Sequence, residues 1–238
     1  MRTALITGGS RGIGRAMVEL FTSEGYIVAF TYKNSEKEAR ELAAKTGSLA
    51  IRADSESERD VLSTVKYCLQ ELGHIDCLVN NAGCSAFSLF TETSLTEWQR
   101  IFSVNLNSAF LYSREVASSM ILSHFGRIIN VGSMWGISGA SCEVAYSSSK
   151  AALHGMTKAL AKELGPSGIT VNAIAPGLIN TDMNAHLDKE SVEAIIDETP
   201  LMRIGEPTDV ANLALFLASD KASFITGEVI SVNGGFLI

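Results

Sequence analysis

Only four prolines and four cysteines occur among 238 residues, and charged and aromatic residues are sparse, at 19% and 7%. The prolines (Pro166, Pro176, Pro200, Pro207) all lie in the C-terminal third, which leaves the rest free for uninterrupted helices and strands. Cys68, Cys77, Cys84 and Cys142 form no C-x-x-C pair, and no histidine cluster completes a zinc site. No metal is therefore expected, and unpaired thiols suit a reducing cytosol. Basic residues are outnumbered by acidic ones, 19 to 26, for a net charge of −7. A duplex-binding protein is usually basic, so nucleic acid is not an expected partner. No apolar run nears the roughly 20 residues that span a bilayer, and the opening MRTALITGGS carries too short an apolar run for a signal peptide. The expectation is a cytoplasmic protein with no membrane partner.

What is present is one sizeable domain, residues 1–238, long enough to bury roughly 70% of its unfolded surface. Short apolar runs recur: TALIT (3–7), IVAFTY (27–32), SLAIRA (48–53), IDCLVN (75–80), RIINVG (127–132), ITVNAIA (169–175) and VISVN (229–233). Each ends in a polar or small residue and reads as a fully buried parallel strand. Helical patterns lie between them, roughly 12–24, 36–46, 57–72, 96–121, 144–164 and 207–219. This alternation predicts an α/β fold: a single-domain, Rossmann-type, doubly wound parallel sheet of about seven strands, right-handed crossovers, and helices on both faces. The Ala/Ser-rich stretch 145–164 either packs on two sides, one against the sheet and one against a subunit, or is simply a good helix former.

Thr7-Gly8-Gly9-Ser10-Arg11-Gly12-Ile13-Gly14 follows the first strand and opens the first helix. Glycines there permit a tight turn and close backbone approach to a pyrophosphate, which then meets the helix N-terminus. After the second strand comes Thr31-Tyr32-Lys33-Asn34-Ser35, with no acid before Glu36 for a ribose hydroxyl. Arg11 and Lys33 suit a 2′-phosphate, which predicts NADP(H) as cofactor.

Tyr146 and Lys150 stand four residues apart and share a helix face. A phenol is a poor acid–base at neutral pH; a neighbouring cation is expected to lower its pKa and make it useful. Ser133 sits at the end of the fifth strand, where ligands of open α/β sheets bind. With these residues the chain resembles the short-chain dehydrogenase/reductase family over nearly its whole length. The matching motifs are TGGSRGIG (7–14), Asp54, NNAG (80–83), Asn105 in VNL, Ser133 in VGS, YSSSK (146–150) and PGLINT (176–181).

The resemblance implies roles. Tyr146 would pass a proton to the substrate oxygen and Ser133 would orient that oxygen. Lys150 would bind the nicotinamide ribose and lower the Tyr146 pKa. Asn105 would hold a water linking Lys150 to solvent. Asp54 would contact the adenine edge, while Asn81, Ala82 and Gly83 would line the cofactor. Pro176, Gly177, Ile179 and Thr181 would flank its nicotinamide end. Hydride would pass to a carbonyl carbon, so the substrate is a ketone.

Within that family the chain looks most like bacterial 3-oxoacyl-acyl-carrier-protein reductases, which implies a carrier-bound ketone and a homotetramer. Two features depart from that branch. The segments Leu122–Phe125 and Pro166–Gly168, expected to greet an acidic carrier, hold no Lys or Arg. Trp135 and Glu143 fall near the expected substrate mouth, and an aromatic face with a carboxylate suits a cation. That stretch resembles reductases of a 5-aminopentanone group on a lysine of elongation factor P, a protein-bound substrate with an amine. A third reading is a catalytically inactive NADP(H)-binding sensor or scaffold. Residues 178–205, with Met183 among their apolar members, are the expected substrate lid.

Overall fold

The structure, a computed structural model of residues 1–238, describes every residue except His186, which lies within the expected lid. The strands are β1 (Thr3–Ile6), β2 (Ile27–Tyr32), β3 (Leu49–Arg52), β4 (Cys77–Asn80), β5 (Gly126–Val131), β6 (Ile169–Pro176) and β7 (Val229–Val232). They form one sheet in the order β3-β2-β1-β4-β5-β6-β7, with every pairing parallel. β1, β4, β5 and β6 are buried along their length. β3 and β7 are partly exposed, against the expectation of full burial, because as edge strands each has one neighbour only.

The longer helices are α1 (Gly12–Ser23), α2 (Glu36–Thr46), α3 (Glu58–Leu72), α4 (Leu95–Phe102), α5 (Ser108–Ser123), α6 (Trp135–Ser138), α7 (Val144–Leu164), α8 (Lys189–Glu198) and α9 (Pro207–Ala218). α1, α2 and α9 cover one face through Met17, Phe21, Leu42, Val210 and Leu217. α3, α5 and α7 cover the other through Val61, Cys68, Tyr112, Val116 and Leu164. From β4 to β6 the chain travels one way along the sheet over the second face. From β6 to β7 it continues the same way over the first. That last connection therefore has the opposite hand to the others, where all were expected to be right-handed.

The helical pattern at 96–121 is not continuous. A π-helical turn over Ser103–Asn107 separates α4 from α5. Such turns insert one extra residue per turn and concentrate at functional sites, and this one carries Asn105.

A chain of buried amides docks α5 and α7 on the sheet. Asn80 Nδ2 donates to Asn130 Oδ1 (2.9 Å) and Ser113 Oγ (3.1 Å). Asn130 Nδ2 donates to Thr157 Oγ1 (2.9 Å), which donates to the Leu153 carbonyl (2.9 Å). Replacing one member strands its partners without water. Asn130→Ala is expected to lose about 2–3 kcal/mol of stability, read from the urea midpoint; a loss below a few tenths would show that the network is dispensable.

Candidate active site

The strand order reverses between β1 and β4, and a crevice opens at their carboxyl ends. Thr7 closes the end of β1. Its hydroxyl accepts N–H groups of Asn81 (3.0 Å) and Ala82 (2.9 Å). Asn81 Nδ2 donates back to the carbonyls of Thr7 (2.9 Å) and Gly8 (3.0 Å). The glycine turn is thus stapled to the end of β4. Gly8 and Gly12 adopt φ of +65° and +51°, values that favour glycine. A side chain on Gly14 would strike the Gly8 carbonyl and the Asn81 amide. The first turn of α1 has no side-chain cap, so its N–H groups face the crevice mouth.

The second half of the site comes from β5, α7 and the π-helical turn. Lys150, nearly buried, donates from Nζ to the Val131 carbonyl at 2.8 Å. The same Nζ lies 5.7 Å from the centroid of the Tyr146 ring. Asn105 is buried behind Cys84. Its Oδ1 accepts the Cys84 N–H, and its Nδ2 donates to the Cys84 carbonyl and to Ser149 Oγ, all at 2.9 Å. Ser149 Oγ donates in turn to the Tyr146 carbonyl (2.7 Å). A side chain on Gly83 would press on Asn105 Oδ1 and Lys150 Nζ, so glycine there keeps a hollow between the two. The Ser133 hydroxyl accepts the Trp135 N–H (3.1 Å).

One cleft of about 810 Å³ gathers Gly8, Ser10, Arg11, Gly12, Ile13, Gly14, Lys33, Asp54, Asn81, Ala82 and Gly83 with Ser133, Tyr146 and Lys150. Pro176, Gly177, Ile179 and Thr181 also line it, as do Trp135, Glu143 and Met183. Of the residues singled out from the sequence, only Asn105 stands behind the wall. The cradle of glycines in a cleft that runs from Arg11 and Lys33 to Ser133 and Tyr146 fits a nicotinamide dinucleotide. Of three supporting residues, Thr7 and Ser149 lie inside the TGGSRGIG and YSSSK motifs without an assigned role, and Cys84 follows NNAG directly. Thr7 was legible as the hydroxyl before the turn; nothing marked Cys84.

Lys33 Nζ bridges Asp54 and Glu56, each at 2.8 Å, and Arg11 faces Asp182 at 3.5 Å. The Asp54 and Glu56 contacts raise the Lys33 pKa.

The electrostatics differ from the simple expectation at Tyr146. Burial pushes its phenol up to about 12, opposed by a hydrogen bond with Ser133. The expected lowering by Lys150 does not emerge, because the ammonium sits beside the ring and is directed at Val131. Burial also depresses Lys150, to about 8. His154, one turn further along α7, is lowered to about 4 by burial and by Lys150, so it is neutral at pH 7. Among the described residues, no group of three or more His, Cys, Asp or Glu is placed to hold a metal, and no helix is long and apolar enough to cross a membrane.

A family model described as enoyl-(acyl carrier protein) reductase matches residues 8–237. A 3-oxoacyl-[acyl-carrier-protein] reductase of Aquifex aeolicus is 43% identical, covering 98% of this chain and 96% of its own. One from Staphylococcus aureus is 40% identical, covering 98% and 97%. An uncharacterized oxidoreductase of Bacillus subtilis is 39% identical, covering 99% and 98%. A solved double mutant of a Serratia marcescens short-chain dehydrogenase/reductase superposes with a TM-score of 0.92 at 36% identity, covering 99% of this chain and 97% of that one.

The depressed Lys150 pKa is a stability statement. The folded state releases this proton near pH 8, the unfolded chain only near 10.4. The cost is therefore full below pH 8 and is removed as pH rises through that window. Lys150→Met is expected to be more stable than the parent at pH 7 by on the order of 3 kcal/mol, with the gap closing by pH 10. Urea unfolding at the two pH values checks this; a pH-independent gap would contradict it.

Proposed function

The chain belongs to the short-chain dehydrogenase/reductase family, and we propose that it reduces a carrier-bound 3-oxoacyl ketone to the secondary alcohol with NADPH. The observation that carries this is the meeting of Ser133, Tyr146 and Lys150 in the cleft that the glycine turn opens. The names of the relatives from Aquifex aeolicus and Staphylococcus aureus support the 3-oxoacyl substrate.

The cofactor, when bound, supplies the hydride. The chain's residues manage the oxygen. Tyr146, kept protonated by its burial, donates its proton to the oxygen as negative charge grows there. Ser133 Oγ accepts the Trp135 N–H and bonds the Tyr146 hydroxyl; with a ketone bound it turns its own hydrogen to the same oxygen. Lys150, anchored on Val131, lines the same cleft and is the group that would hold the nicotinamide ribose. Asn105 holds Cys84 and Ser149, and so the floor under both. Tyr146→Phe is expected to lower kcat about a thousandfold and Ser133→Ala about a hundredfold, with NADPH affinity intact. Turnover of a 3-oxoacyl thioester by Tyr146→Phe at the parent's rate would refute the assignment.

NADPH is favoured over NADH by the cations Arg11 and Lys33 on the cleft rim and by the missing acid after β2. Lys33 stands pinned between Asp54 and Glu56 on that rim. Arg11→Ala and Lys33→Ala are each expected to weaken NADPH about tenfold and to leave NADH unchanged. Equal parent affinities for the two nucleotides would end this reading.

The segment 178–205 acts as the substrate lid in this reading, and the assembly is a cytoplasmic homotetramer. Exposed Phe90, Leu95, Phe110 and Leu122 around α4 and α5 support subunit contacts. Ala151, Gly155 and Ala159, exposed along α7, add to them. Sedimentation velocity decides the assembly; a monomer at micromolar concentration contradicts it.

One alternative keeps the reaction and changes the substrate to an amine-bearing ketone, such as the 5-aminopentanone group on elongation factor P. Trp135 and Glu143 at the cleft wall favour it, and so does a net charge of −7, which repels an acidic carrier. The higher kcat/KM among the two substrates identifies the better reading. An inactive NADP(H)-binding sensor is disfavoured, since a chain released from catalysis need not keep Ser133, Tyr146 and Lys150 in register.

A further inference from the structure

Beyond the motif residues, the last residues of the chain build part of the substrate mouth. After β7 the backbone doubles back on itself. Asn233 brackets the turn: its Oδ1 accepts the Gly235 N–H (3.0 Å), its carbonyl accepts the Phe236 N–H (3.1 Å), and its Nδ2 donates to the Leu237 carbonyl (3.4 Å). Gly234 and Gly235 take φ of +65° and +89°. A side chain on either would press on Thr199 or Pro200, and Leu201 N–H donates to the Gly234 carbonyl (3.2 Å). The tail is therefore fixed to the end of the 178–205 segment.

This turn delivers the Phe236 ring edge-on to Trp135, with centroids 5.8 Å apart and planes at 84°, the geometry that aromatic pairs prefer. Trp135 lines the cleft beside Ser133. Phe236 lines a second cavity of about 560 Å³, walled by Leu178, Ile195, Leu201 and the tail. Leu178 and Ile195 face both spaces. The aromatic pair thus stands where two chambers adjoin, one holding the chemistry and one with an apolar side at Leu178, Ile195 and Leu201 and a polar side at Arg203 and Asp209.

We propose that Phe236 is a specificity-determining residue of the ketone site: by fixing the Trp135 ring it closes the second chamber to the substrate's remote chain. The proposal rests on the ketone-reduction reading. In the native chain an acyl group of moderate length ends against Trp135. Once Phe236 is trimmed, Trp135 loses its edge contact, and a longer aliphatic chain passes toward Leu178, Ile195 and Leu201.

The test uses the full-length protein with 3-oxoacyl thioesters of about four and about eight carbons. Phe236→Ala is expected to raise the long-to-short ratio of kcat/KM about fivefold, mainly through KM, with the KM for NADPH within about twofold of the parent. Phe236→Tyr keeps the parent ratio, and Phe236→Leu, a milder cut that guards against misfolding, falls between. A second readout needs no turnover. In a Trp98→Phe background Trp135 is the sole indole, and its emission should move to the red in Phe236→Ala. An unchanged ratio with unchanged emission overturns the proposal, and so does a KM for NADPH that rises by the same factor as that for the ketone. Failure of the parent to reduce any thioester defeats the 3-oxoacyl reading instead, and a fixed emission maximum then defeats the Phe236 contact separately.

Discussion

Enclosing a lysine ammonium in protein costs several kcal/mol unless its protons find acceptors, and this site is arranged around meeting that cost. Lys150 reaches the carbonyl of Val131, the last residue of β5. The bond requires α7 to lie across the carboxyl end of that strand. The amide chain from Asn80 through Asn130 to Thr157 holds the same helix further along. The glycine at 83 leaves the hollow beside the ammonium. Tyr146, Ser133 and the floor under Asn105 then follow from where α7 is held.

The same enclosure sets the protonation states. A phenol raised by its burial keeps its proton through neutral pH, which suits the proton donor that we propose. A lysine screened from water holds its proton less firmly. Burial drives the two pKa values apart, the phenol up and the ammonium down, and a hydrogen bond with Ser133 partly resists the first. The pair is tuned by the dielectric around it rather than by the distance between its members.

Much of this was legible in the residues. The strand runs, the helices at 12–24 and 144–164, and the glycine turn rest on local periodicity, which survives folding because each element buries a face of its own. Every residue that the resemblance assigned to a cofactor lines one cleft, since parallel strands bring their carboxyl ends to one edge. The π-helical turn at Ser103–Asn107 left no trace, because an extra residue in a helix does not disturb an apolar pattern that short. The hand of the β6–β7 connection was invisible too, as it depends on which face α9 covers. The tail escaped for a related reason: Phe236 matters through Trp135, about a hundred positions upstream, and pairwise contacts across such a separation leave no periodic mark. At Tyr146 the residues suggested a cation lowering a phenol, whereas desolvation, which needs three dimensions to be seen, proved larger.

The excursion from β6 to β7 crosses the sheet on the face away from the catalytic helix, and it carries the end of α8, the Thr199–Leu201 turn and the partners of the tail. Among the described residues, none of these hydrogen-bonds with Val131, Lys150 or the amide chain. Closing a longer excursion there would add only a logarithmic entropy penalty. Lineages of this architecture can therefore rewrite what enters the mouth by lengthening or shortening one surface detour, while the proton-handling machinery beneath keeps its alignment.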